Sequence, residues 1–262
     1  MSALDRVGAG RVEPVVAEAA IGAMVEAIVA EVQPEQVVLF GSRGRGDHGE
    51  GSDVDLIVVE SEPFGPGRSR HGEIMRLKHA VRDFGVATDI LVYSRAEAEY
   101  WRDSLNHVLA RALREGKVVY GSGEEAAAPS GRDLKVAGSM LDRARSDLIS
   151  LEEATPRVRD ETFGFHVQQA AEKALKAWLA LLGQEYPLTH ELDVLFGRLD
   201  AEGASTGFFR SLAEFTPYAV EFRYEGIGPG HPPIDRPATA ALVGALLGHV
   251  GDLIADARGS GH

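Results

Sequence analysis

Two carboxylates one residue apart, Asp53 and Asp55, follow the pair Gly41-Ser42 after ten residues of turn-forming sequence. They lie in Asp53-Val54-Asp55-Leu56-Ile57-Val58-Val59, which reads as a strand, so alternation sends both acids to one face and Val54 to the other. Like charges this close repel unless a cation sits between them, and oxygen-only donors suit Mg²⁺ or Mn²⁺. A third acid, Asp89, interrupts the apolar run Val86-Ala87-Thr88-Asp89-Ile90-Leu91-Val92-Tyr93, where an ionised group needs a partner.

The elements around these acids are legible. Gln36-Val37-Val38-Leu39-Phe40 reads as a buried strand that stops at Gly41 and enters a tight turn. Between Ser42 and Asp47 stand Arg43, Gly44, Arg45 and Gly46, so bare backbone N–H groups can approach an anion while guanidinium groups neutralise it. Arg43 and Arg45 read equally as solvated charge. A Gly-Ser-Asp turn is ordinary and Asp-x-Asp recurs in acidic chains. The combination with a third acid on a later apolar strand is what points to a divalent cation held against a nucleoside triphosphate.

A helix is expected from the N-terminal segment, another near residues 71–84, and a long one over 95–115. Residues 121–131, Gly/Ala/Ser-rich and without periodicity, read as a linker, which sets domains at 1–120 and 132–262. The second part shows no strand pattern. Residues 133–153, 159–182, 190–199, 208–221 and 237–257 all read as helices, and a bundle is their natural packing. In the second of these, Val167, Ala171, Ala174, Leu175, Trp178 and Leu182 form an apolar stripe, while Gln168, Gln169, Glu172, Lys173 and Lys176 take the other faces.

Composition narrows the function classes. The chain has 262 residues, room for one large domain or two ordinary ones, and no Cys, so no disulfide or thiolate metal site. The apolar segment Val12 to Val32 carries Glu13, Glu18, Glu26 and Glu31, which excludes a spanning helix there, and nothing reads as a signal peptide. A soluble, cytoplasmic protein without membrane attachment is expected. Net charge is −13, with acids exceeding bases 21 to 14 up to Glu125 and 19 to 13 beyond it. That disfavours nucleic acid and favours a cationic substrate or a partner with a basic face.

Gly41-Ser42, Asp53-x-Asp55 and Asp89 resemble the minimal nucleotidyltransferases of the DNA polymerase β superfamily over roughly residues 35 to 95. The resemblance implies an α/β domain with a mixed sheet. It further implies that Asp53 and Asp55 ligate two metal ions, that Asp89 completes one site and helps deprotonate the attacking hydroxyl, and that Gly41 and Ser42 lie against the β- and γ-phosphates. In-line transfer at the α-phosphorus asks for such a set.

The string Phe165-His166-Val167-Gln168-Gln169-Ala170-Ala171-Glu172-Lys173-Ala174-Leu175-Lys176, followed by Pro187-Leu188-Thr189-His190-Glu191-Leu192 and Arg223-Tyr224, resembles the HEPN family over roughly residues 132 to 257. This implies an all-α helical bundle, hence an α+β chain overall, and modules that often dimerise. In some pairs of these two modules the transferase adds AMP to a Tyr of the HEPN toxin, which makes Tyr224 an acceptor candidate.

Many HEPN members are ribonucleases with an Arg, four to six residues, then His. Here Arg223 is followed first by His231, with seven residues between them, while Arg43/His48, Arg102/His107 and Arg159/His166 have the spacing outside the expected late helix. Ribonuclease activity is therefore not expected, and His190 reads as a helix-start packing or capping residue.

The expected function is Mg²⁺- or Mn²⁺-dependent transfer of a nucleoside monophosphate, AMP as first candidate, from ATP or another NTP to a hydroxyl on a protein or small molecule. The alternatives are aminoglycoside-type transfer, a nucleotide-binding regulator with an idle site, and a toxin–antitoxin-type protein.

Overall fold

A computed structural model describes residues 14–49, 51–122, 133–220 and 233–259. Val12 and Glu13, most of the expected linker, Arg223-Tyr224 and His231 lie outside the described residues. The chain divides into two compact units, one of residues 1–103 and 108–128, the other of 104–107 and 129–262.

In the first unit the elements run α1 (Pro14–Val32), β1 (Gln36–Phe40), α2 (Gly41–Arg45), β2 (Val54–Glu60), α3 (Arg70–Val81) with a 3₁₀ turn (Arg82–Phe84), β3 (Thr88–Ser94), α4 (Arg95–Trp101), α5 (Val108–Glu115) and β4 (Lys117–Tyr120). The four strands make a mixed sheet in the order β3-β2-β1-β4, with β2 and β3 parallel and the other pairs antiparallel. β2 is central and covered on both faces, which is why its sequence is apolar almost throughout. On one face Val37, Leu39, Val54, Leu56, Val58, Ile90 and Val92 pack against Ile21, Met24, Val25 and Ile28 of α1 and Leu77 and Val81 of α3. The α1 positions recur at helical spacing. On the other face Val38, Ile57 and Val59 pack against Ala98 of α4 and Leu109 and Ala112 of α5. The acids of β2 and β3 belong to this second face by alternation.

Three departures from the sequence reading stand out. The turn after β1 is a one-turn helix, closed by Gly46 in the left-handed conformation. The helix expected over 95–115 is two helices, because Ser104 and Asn106 make bonds a continuous helix would forbid. The Ser104 hydroxyl and the Leu105 and Asn106 N–H groups converge on Oδ2 of Asp133 at 2.6, 2.9 and 3.4 Å. β4 follows, a β-branched and aromatic run paired with β1 across a bulge at Val37/Val38.

The second unit is helical: α6 (Leu134–Glu152), α7 (Asp160–Leu181), α8 (Leu192–Ala201), a 3₁₀ segment (Gly207–Ala219) and α9 (Arg236–Gly259). Asp133 caps α6, accepting from the Val136 N–H at 3.1 Å. α7 is the central helix, and Gly164 lets the Tyr218 ring lie on its backbone, where an added β-carbon would stand 2.2 Å from the ring. α9 is long and apolar enough to cross a membrane by length and composition. In this unit it buries one face, through Val243, Leu246, Leu247, Val250 and Ile254.

Candidate active site

Register brings two of the acids together. Asp55 stands opposite Asp89 in the parallel ladder and opposite Phe40, the residue before Gly41, in the antiparallel one. Neighbouring strands lie roughly 4.8 Å apart, so Asp55 and Asp89 are side by side on one face. Asp53 precedes β2 by one residue. The Asp55 carboxyl is pushed above its ordinary value by partial burial first, then by the charges of Asp89 and Asp53, against the opposing pull of Arg45.

Gly41 closes the site from β1. Its φ is +65°, and a β-carbon there would lie 2.1 Å from Oδ2 of Asp55. Glycine is thus required twice over, by conformation and by the carboxylate that takes the space. The Ser42 carbonyl accepts from the Gly46 and Asp47 N–H groups and shapes the turn.

The two arginines differ. Arg43 donates from Nε and Nη2 to the Ser52 carbonyl at 3.0 and 2.8 Å, which ties the turn after β1 to the chain entering β2. Arg45 is exposed and pairs with Asp47 at 3.3 Å. Lys78 of α3, which carried no local signal in the sequence, comes within 3.6 Å of Oδ1 of Asp89.

Three carboxylates and no softer donor are the oxygen donor type a hard divalent ion takes, and the Asp55 carboxyl is raised first by burial and only then by the two neighbouring acids. In this conformation no three His, Asp or Glu side chains among the described residues stand close enough to ring an ion. Asp89, with 71% of its side chain exposed, instead meets Lys78.

In the helical unit His190 places Nδ1 3.0 Å from Oε2 of Glu172. Glu172 also receives Lys176 Nζ at 2.7 Å and Gln168 Nε2 at 2.8 Å. Lys176 and Gln168 reach on to the Thr189 and His190 carbonyls. The polar residues read as taking the outer faces of this helix are in part interior: Gln168, Glu172 and Lys176 are buried, because they pair with one another and with the loop before α8. Leu182 of the predicted stripe is 39% exposed. Arg159 pairs with Glu161, and His166 with Asp147.

A mixed sheet carrying an acid pair beside a glycine turn, followed by a helical bundle, defines a transferase-like α/β unit joined to an all-α unit. The nucleotidyltransferase domain model matches residues 23–120 and the HEPN domain model residues 137–248, so the chain carries both domains, fused in that order. A solved structure of a spectinomycin adenyltransferase from Enterococcus faecialis, with ATP and spectinomycin, is similar at 15% identity and TM-score 0.43, covering 89% of this chain and 99% of that one. No curated protein matches.

Proposed function

We propose that the chain transfers a nucleoside monophosphate, AMP in the first instance, from an NTP to a hydroxyl on a protein or small molecule. The observation that supports this most is the pairing of Asp55 with Asp89 on one sheet face, against a Gly41 that no other residue could replace without displacing the carboxylate. In this reading Asp53 and Asp55 hold Mg²⁺ or Mn²⁺, and Asp89 completes the set. A bound divalent ion would neutralise the polyphosphate and acidify the acceptor hydroxyl. The Gly41 and Ser42 turn lies against the β- and γ-phosphates. The acceptor oxygen bonds to the α-phosphorus, the bond to pyrophosphate breaks, and Asp89 takes the hydroxyl proton. A cytoplasmic setting belongs to the same reading.

The acidic balance favours a cationic acceptor, an aminoglycoside or a protein with a basic face. A second reading, a nucleotide-binding regulator with an idle site, draws on Lys78, whose ammonium stands where a cation would be needed at Asp89. One assay separates them. The pure protein is incubated with Mg²⁺ and each α-³²P-labelled NTP, and label is sought on the protein itself, on added aminoglycosides and on RNA. Asp53→Asn and Asp55→Asn should each abolish transfer with the circular dichroism unchanged. Wild-type transfer by both variants would sink the site assignment, and nucleotide binding without any transfer would favour the regulator.

A further inference from the structure

β2 runs from the candidate active site to Glu60, which lies about 17 Å along the strand from Asp55 at roughly 3.3 Å per residue. Glu60 is only 5% exposed. Its Oε2 pairs with Arg68 Nη2, whereas its Oε1 is buried with no hydrogen-bond partner. Buried carboxylate oxygens are normally satisfied, so an orphaned one calls for a donor. Glu60 lines a cavity of about 300 Å³ between the end of α1, the end of β2 and α3, at the lower end of the range for small-molecule sites.

The cavity's charge is negative. Glu31, Glu60, Glu62 and Glu73 line it against Arg68 and Arg76. Arg76 is already engaged by Glu31 at 2.5 Å and Glu73 at 3.0 Å. The last turn of α1 adds the negative end of its dipole. Burial raises the Glu60 carboxyl above its ordinary value, with Glu73 acting the same way and Arg68 opposing. A bare metal ion wants several free oxygens, but here a guanidinium holds one oxygen of Glu60 and leaves the other, buried, without a partner. A single N–H donor of an organic cation meets that demand.

We propose that this cavity binds a small organic cation carrying a primary ammonium group, which donates to Oε1 of Glu60. The site is separate from the transferase reading and does not depend on it.

The test titrates the full chain with putrescine at low ionic strength by calorimetry, with Ca²⁺ alone as a second titrant. Saturable, salt-sensitive putrescine binding is expected, weakened at least tenfold in Glu60→Gln and blocked in Ser61→Trp. Ser61 is an exposed cavity-lining residue, so that variant carries the test should Glu60→Gln melt early. Asp55→Asn should bind putrescine as wild type does. Absent saturable binding, binding retained in Ser61→Trp, binding lost in Asp55→Asn, or Ca²⁺ uptake that depends on Glu60 would each overturn the proposal.

Discussion

Oδ2 of Asp55 lies 2.1 Å from the point where a β-carbon on Gly41 would stand. The carboxylate and the missing side chain are two halves of one packing arrangement, and the geometry of the turn after β1 is set by a residue on the neighbouring strand.

Gly41→Ala should therefore cost roughly 1–3 kcal/mol of stability, from a left-handed alanine and a displaced carboxylate together. It should also lose nearly all transfer. Adding Asp55→Ala removes the clash, so the double variant should regain part of the melting temperature while transfer stays absent. Losses that simply add in the double variant would show that the two residues do not share space.

Asp55 also sets a pH dependence. Its carboxyl is raised from 3.8, chiefly by burial and then by Asp89 and Asp53, so ionising it costs the folded state and the penalty grows as pH rises through that window. Asp55→Asn should accordingly melt above the wild type at pH 7, and the gap should close by about pH 3, where both folded and unfolded wild type are protonated. Mg²⁺ should raise the wild-type melting temperature, EDTA should reverse the rise, and the variant should respond to neither. Calorimetric scans across pH with and without Mg²⁺ read all three.

Removing the guanidinium that joins the two halves of the site should loosen it. Arg43→Ala loses two bonds to the Ser52 carbonyl and should cost about 1.5 kcal/mol in urea melts. The KM for NTP should rise several-fold, with a smaller change in kcat. Arg43→Lys should recover less than half of either effect, since an ammonium cannot reproduce the forked contact.

In the helical unit the test residue is Glu172. Burial pushes its carboxyl up, but the bonds from Lys176, His190 and Gln168 outweigh burial and hold it below 4.5. Its contribution to stability is thus present above that value and lost as pH falls through the lower folded one. Glu172→Gln should flatten this acid loss. At pH 7 it should destabilise the bundle by about 3–5 kcal/mol, because Lys176 is left buried without its charge partner. Trp178 fluorescence in a Trp101→Phe background follows the unfolding of this unit alone.

The sequence by itself determined the elements whose signals are local. The apolar runs of β1, β2 and β3 were readable as strands, and the helical spacing of Val167, Ala171, Leu175 and Trp178 gave α7 its buried stripe. Two domains of different class followed from those same periodicities. Lys117–Tyr120 held a usable strand signal in its two valines and a tyrosine, which the preceding helical pattern masked.

Tertiary structure decided whatever depended on a partner distant in the chain. Only pairing of β2 with β3 could place Asp89 beside Asp55, and only the fold could turn Arg43 toward Ser52 or bring Lys78 to Asp89. The break between α4 and α5 arises because Asp133, twenty-nine residues beyond Ser104, takes that serine's hydroxyl into the second unit. Gln168, Glu172 and Lys176 show the same logic: by polarity they read as solvated, yet mutual pairing and the Thr189 and His190 carbonyls offset the cost of burying them. Periodicity records which face of an element is apolar, whereas the partner of a polar group is set by long-range approach, and no local pattern encodes that.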